Sequence, residues 1–154
     1  MIVLTEIEME IAAMVGCRRR SESRSNSREY AHGFDGSGGW DIDIEGAAAE
    51  LAYAKYRGQY WPATVCSFKH ADVGANVQIR STPHANGSLI IRDDDNAEHF
   101  YVLLTGTAPT FQVRGYIQGI SAQNDEWRQA PNGRPAAYFV PQSALKPFEK
   151  KDNQ

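Results

Sequence analysis

The apolar positions of this chain change period once. From residue 4 to about 20 they recur every three or four residues, at Leu4, Ile7, Ile11, Met14 and Val15. That spacing predicts a helix with one stripe turned toward the core. Thr5 is placed to cap it, and Glu8 completes a capping box three residues later. Acidic residues fill its first turn and arginines its last, which suits the helix dipole. A second helix is expected over 43–57, capped by Asp43. Its apolar surface is Ile44, Ala47, Ala48, Leu51, Tyr53, Ala54 and Tyr56, and so many small residues predict close packing on a sheet. From residue 63 onward the pattern becomes that of strands. These are expected over 64–68, 76–81, 88–92, 99–105, 110–117 and 137–140. Asn86-Gly87 reads as a hairpin turn joining the second of these to the third. The almost wholly apolar run 100–104 reads as a central strand covered on both faces. A short helix is expected over 121–129 and a loop over 131–135.

The segments outside these patterns are polar. Residues 21–39 are rich in Ser, Arg, Asn and Gly, with almost nothing apolar before Tyr30 and Phe34, and read as a long mobile loop. The Lys-containing stretch 146–154 reads as a frayed tail. The chain has 154 residues, 42% of them hydrophobic, and no internal repeat. One compact domain over 1–154 is expected. No apolar run approaches the roughly 18 residues of a membrane span. No basic stretch precedes the apolar residues at the N-terminus, so no signal peptide is expected there. Cys17 and Cys66 match neither a metal pattern nor a disulfide framework, and read as free thiols in a reducing cytoplasm.

Formal net charge is −3, so any contact with nucleic acid has to come from a local cluster. Arg18, Arg19, Arg20, Arg24 and Arg28 form one. They read either as a solvated helix end and loop or as a flexible arm that holds phosphates.

The segment 72–80 carries the clearest candidate chemistry. Asp72 stands at a turn; Gln78 and Arg80 follow on a strand, where alternate residues share a face. Hard oxygen ligands beside a cation are what a phosphodiester nuclease needs. Glu50 lies one turn from both Ala47 and Ala54, on the close-packed side of the second helix. An acid there needs a cation or a metal. The alternative is that Glu50 points outward and pairs with Lys55 or Arg57. Glu50, Asp72, Gln78 and Arg80 are expected to share one small cleft. Other groups carry less. Asp93, Asp94 and Asp95 read as a solvated acidic turn or a cation site, and His84 as a turn histidine or a phosphate contact. His32, His70 and His99 lack metal-ligand spacing. Trp40, Tyr60 and Trp61 read as core packing or base stacking.

The order of helix acid, turn aspartate and Gln-x-Arg strand resembles the PD-(D/E)XK nuclease superfamily. The stretch 72–117 is also similar to small nuclease-like proteins of bacteriophages. The resemblance covers about residues 43–141. It implies a mixed α/β (α+β) class: a restriction-endonuclease-like core whose central mixed sheet is flanked by helices. It implies Mg²⁺ or Mn²⁺ held by Glu50, Asp72 and Gln78, with Arg80 beside the scissile phosphate of DNA. It further implies the cytoplasm of an infected bacterial host. Two departures bear on activity. Arg80 stands where the superfamily usually has Lys, and a guanidinium cannot act as a base. Gln78 stands where it usually has Glu, and offers a neutral oxygen. Two functions therefore stay open: a metal-dependent DNA endonuclease, and a catalytically inactive binding protein on the same fold, such as a phage inhibitor of a host defence or host enzyme. An accidental match on another mixed fold is the third reading. The sequence leaves the oligomeric state open, a homodimer included.

Overall fold

The computed structural model describes residues 1–25, 39–65 and 70–149, and of Arg24 the backbone alone. The capping box forms as expected. The Thr5 amide donates to Glu8 Oε2 at 2.7 Å, and the Glu8 amide donates to Thr5 Oγ1 at 3.3 Å. Helix α1 (Glu6–Ser25) follows and runs past the expected end at 20. Arg18, Arg19, Arg20 and Arg24 are therefore helical, not part of a loose arm. Arg28 and most of the expected loop, 26–38, lie outside the described residues. Helix α2 (Trp40–Arg57) starts before Asp43, with Gly39 at its cap. It ends at Gly58, whose φ of 62° lets its N–H reach back to the carbonyls of Ala54 and Lys55.

The expected apolar stripe of α1 is rotated. Leu4, Ala12 and Val15 are buried, but Ile7, Ile11 and Met14 face solvent. Gly16 gives the reason. A Cβ there would come within 2.6 Å of the Ile44 backbone, so the helices cross at this glycine. The α1 face that carries it turns inward, against the alanines of α2, of which Ala47, Ala48, Ala49, Ala52 and Ala54 are buried.

The strands form two sheets. They are β1 (Ile2–Val3), β2 (Val77–Thr82), β3 (Leu89–Ile91), β4 (Phe100–Thr107), β5 (Thr110–Gln118), β6 (Arg128–Gln129) and β7 (Ala137–Val140). The larger sheet has the order β1-β5-β4-β2, with β2 parallel to β4 and the other pairs antiparallel. The smaller, β3-β7-β6, is antiparallel throughout. The mixed α+β class and the central mixed sheet agree with the sequence, as does β4, buried from Tyr101 to Thr105. Both helices lie on one face of the large sheet, over Ile79, Val102, Leu104 and Phe111. The small sheet covers the other face, where Leu89, Ile91 and Val140 meet Tyr101, Leu103 and Ile117. Helix α3 (Gly119–Ala122) and a 3₁₀ turn at Asp125–Trp127 replace the single helix expected over 121–129.

Three expectations fail. The Asn86-Gly87 hairpin does not form: β2 pairs with β4 and β3 with β7, so the intervening turn hands the chain from one sheet to the other. No strand occupies 64–65, and 66–68 lie outside the described residues. The segment from Lys146 is not frayed as far as it is described. Lys146 exchanges backbone hydrogen bonds with Tyr116, and Phe148 packs against Tyr53, Tyr56 and Tyr116. Among the described residues no helix is long and apolar enough to cross a membrane.

Candidate functional site at the edge of the large sheet

Asp72 is placed by a tight return of the chain just before β2. Its N–H and that of Val73 both reach the Val77 carbonyl, at 2.9 and 3.3 Å. The fold-back brings Asp72 Oδ2 to the Ile79 N–H, which donates to it at 2.7 Å. β2 is an edge strand, so Asp72 satisfies an amide that has no neighbouring strand to take it. The two faces of β2 then divide. Ile79 packs into the helix-side core. Gln78 and Arg80 alternate to the opposite face, in register with Tyr101 and Leu103.

On the helix side stands Glu50, only 6% exposed. Arg19 binds it with both arms, Nη1 to Oε1 at 2.6 Å and Nη2 to Oε2 at 2.8 Å. Trp61 Nε1 also donates to Oε2 at 3.0 Å. The third Arg19 donor, Nε, reaches the Thr64 carbonyl at 2.9 Å. Burial works against the Arg19 charge, but the Glu50 contacts outweigh it and hold its pKa above the ordinary guanidinium value. Glu50 thus points inward and meets a cation, and the outward alternative does not occur. Lys55 goes instead to Glu8 and the Val3 carbonyl. Arg20 is buried as well, with Asp43 in electrostatic reach. Of the arginine cluster read as a phosphate-holding arm, Arg18 is exposed, while Arg19 and Arg20 are turned into the fold.

Asp72 senses both sides of the edge. Burial pushes its pKa up to about 6, and the neighbouring Glu50 carboxylate adds to the rise. The Ile79 amide, Arg80 and Arg19 act in the opposite sense. Glu50 and Asp72, far apart in sequence, are therefore close enough for one charge to resist the other.

On the other face, Gln78 Nε2 donates to the His70 carbonyl at 2.9 Å and lies 3.3 Å from His99 Nδ1. Its Oε1 is the end left for another ligand. Arg80 Nη2 donates to Asp95 Oδ1 at 2.9 Å, and the guanidinium lies 5.4 Å from the Tyr101 ring centre. Asp95 Oδ2 accepts the Arg92 N–H at 2.9 Å. The acidic run is thus only partly a solvated turn: Asp95 holds Arg80, and Asp93 holds Arg128 at 2.8 Å. Arg80 lines a cleft beside β2, but Glu50, Asp72 and Gln78 do not. The expectation of one shared cleft is corrected. The four groups gather along one sheet edge and approach it from two faces.

Two carboxylates and an amide oxygen match the hard-oxygen preference of Mg²⁺ or Mn²⁺. Glu50 can join such a set only by exchanging Arg19 for the ion. Among the described residues, no group of three or more His, Cys, Asp or Glu stands together as a metal site. No family model, curated protein or solved structure matches this chain. Sequence reasoning missed Arg19 as the Glu50 partner, and missed Asp95 as the partner of Arg80. A signal existed for the first. An acid on an alanine face needs a cation that reaches inward, and an arginine three residues beyond the inward-facing Gly16 can do so.

Proposed function

We propose that this chain is a metal-dependent DNA endonuclease of the restriction-endonuclease-like kind, acting in the cytoplasm of an infected bacterial host. One observation carries the reading. Glu50 and Asp72 come close at the same sheet edge as Gln78 and Arg80, and the Glu50 charge raises the cost of charging Asp72. A divalent cation removes that cost. Asp72, Gln78 Oε1 and, after release from Arg19, Glu50 are the groups that would hold it. When bound, such an ion neutralises charge on the scissile phosphate. Arg80 is placed to stabilise negative charge that develops on phosphate as the bond breaks. It stays protonated, so proton removal from the attacking water falls to another group.

A second reading keeps the fold and drops the chemistry: an inactive relative that binds a host protein. The observation favouring it is that both Glu50 oxygens are already taken by Arg19, with Trp61 on one of them. One experiment separates the two. Purified protein is incubated with supercoiled plasmid and Mg²⁺ or Mn²⁺, alongside Asp72→Ala, Arg80→Ala and Arg80→Lys. The endonuclease reading expects nicking by the parent, none by Asp72→Ala or Arg80→Ala, and residual nicking by Arg80→Lys. A parent that never cuts with either ion hands the case to the binding protein.

A further inference from the structure

The turn that replaces the expected hairpin leaves an opening. β2 is the edge of the large sheet and β3 the edge of the small one, and the two strands part where the chain crosses between sheets. A cleft of about 560 Å³ lies there. Its apolar wall comes from Ile90 and Phe139, cross-strand neighbours in the small sheet. Leu89 and Ile91 point the other way into the core, so Ile90 and Phe139 share the outer face. Its polar wall comes from β2 and the turn, where Ser81, Thr82, His84 and Ser88 line it. Two arginines reach it. Arg80 is paired with Asp95, but the Arg92 guanidinium has no ion pair among the described residues. Asp94 is the acid on the rim left over once Asp95 is committed to Arg80 and the Arg92 N–H.

The cleft is held open by contacts of its own. Gln142 Nε2 donates to the Ala85 and Gly87 carbonyls at 2.8 and 2.9 Å, and the Gly87 N–H bonds the His84 carbonyl at 2.9 Å. These bonds fix the turn away from β3. An aromatic and aliphatic wall, a hydroxyl-lined strand and an uncommitted guanidinium together suit one nucleotide. The base stacks on Phe139 and Ile90, and the phosphate meets Arg92. A cleft of this size encloses a single nucleotide and excludes a duplex, whose bases stay in the stack unless flipped or single-stranded.

We infer that this cleft is a nucleotide subsite for single-stranded nucleic acid, with Arg92 as its phosphate contact and Phe139 as its stacking platform. Arg80 stands between it and Asp72, so the inference rests on the endonuclease reading and names the form of its substrate. A strand seated there brings its next phosphodiester to the sheet edge.

The test is binding without catalysis. A fluorescein-labelled thymidine dodecamer is titrated with the full chain in EDTA by fluorescence anisotropy, beside the same strand annealed to its complement. The single strand is expected to bind at least about tenfold more tightly. Arg92→Gln and Phe139→Leu should each weaken it about tenfold, with far-UV circular dichroism unchanged. Ser143→Ala, outside the cleft, should bind like the parent. Equal affinity for single strand and duplex overturns the inference, as does parent-like binding by both cleft variants. EDTA keeps this result apart from cleavage. Binding that depends on Arg92 and Phe139 without any plasmid nicking removes the nuclease and keeps the subsite. Nicking that ignores both residues removes the subsite and keeps the nuclease.

Discussion

The two faces of strand β2 handle charge in opposite ways. On the helix face Glu50 is buried, and Arg19 and Trp61 occupy both of its oxygens. That network is closed, and Gly16 holds it shut by letting α1 sit directly on the backbone of α2. On the cleft face, Arg80 is about one-third exposed and held by a single carboxylate, and Arg92 has no ion pair among the described residues. A closed network resists substitution and supports the fold; an open one leaves donors for a ligand. The same strand thus separates a stabilising cluster from a receptive one, and Asp72 sits between them. The difference can be tested from the closed side to the open one.

Arg19→Ala should have the largest effect. It leaves the Glu50 carboxylate buried without its cation, which costs about 3–5 kcal/mol. Urea unfolding measures it, and the double variant Arg19→Met/Glu50→Gln should recover much of the loss. The endonuclease reading adds a sharper outcome. With Arg19 gone, Mn²⁺ should raise the melting temperature of Arg19→Ala more than that of the parent. Equal responses would mean that no cation reaches Glu50.

Gly16→Ala comes next. Its new Cβ would press on the main chain of Ile44 and Asp43, which cannot swing aside, so the helices must separate at about 1–3 kcal/mol. Differential scanning calorimetry reads this as a lower melting temperature.

Asp72 gives a pH signature. Its folded pKa of about 6 stands above the ordinary 3.8, so the fold prefers the neutral acid. Its contribution to stability is greatest below about pH 4, falls as pH climbs through 6, and stays low above. Asp72→Asn should flatten that slope and gain roughly 1 kcal/mol at pH 7, because an amide oxygen can still accept the Ile79 N–H. An unchanged slope would place the burden on another group.

Gly87→Ala should cost least, below about 1 kcal/mol. Its Cβ meets chiefly the Thr82 side chain, Cγ2 at 2.6 Å and Oγ1 at 3.0 Å, with the His84 carbonyl at 3.1 Å, and an exposed turn yields more readily than two packed helices. The contrast with Gly16 is itself the check. If both substitutions cost the same in matched urea titrations, the cleft side is as rigid as the helix side.

Much of this arrangement was legible in the sequence, and the illegible parts share a cause. The Thr5–Glu8 box, the alanine face of α2 and the buried run in β4 depend on local periodicity, and all appear. The turn at Asn86-Gly87 was misread because its signal is local, whereas the choice of strand partner is not. β2 finds a parallel partner in β4 and β3 an antiparallel one in β7, each buried more fully than a lone hairpin would be. The arginine cluster was misread for a related reason. A run of like charges suggests solvent, yet one glycine, by choosing which face of α1 turns inward, sends Arg19 to Glu50. Strand alternation and the alanine face of α2 suggested one small cleft for Glu50, Asp72, Gln78 and Arg80. Their division between two faces was not legible, because it follows from where the second sheet packs.

Strand β5 draws its partners from both extremes of the described sequence. Ile2 and Val3 join it at Phe111 and Thr110, and Lys146 joins it at Tyr116, beside the ring cluster that Phe148 completes. On the ribosome, Ile2 and Val3 must wait about a hundred residues for the strand they belong to. That strand in turn lacks its last neighbour until Lys146 emerges. Pairings so distant along the chain slow folding, because loop closure must come before they contribute. The helices α1 and α2 can meet early. The large sheet is a late event in synthesis, and with it comes the edge on which Asp72 stands.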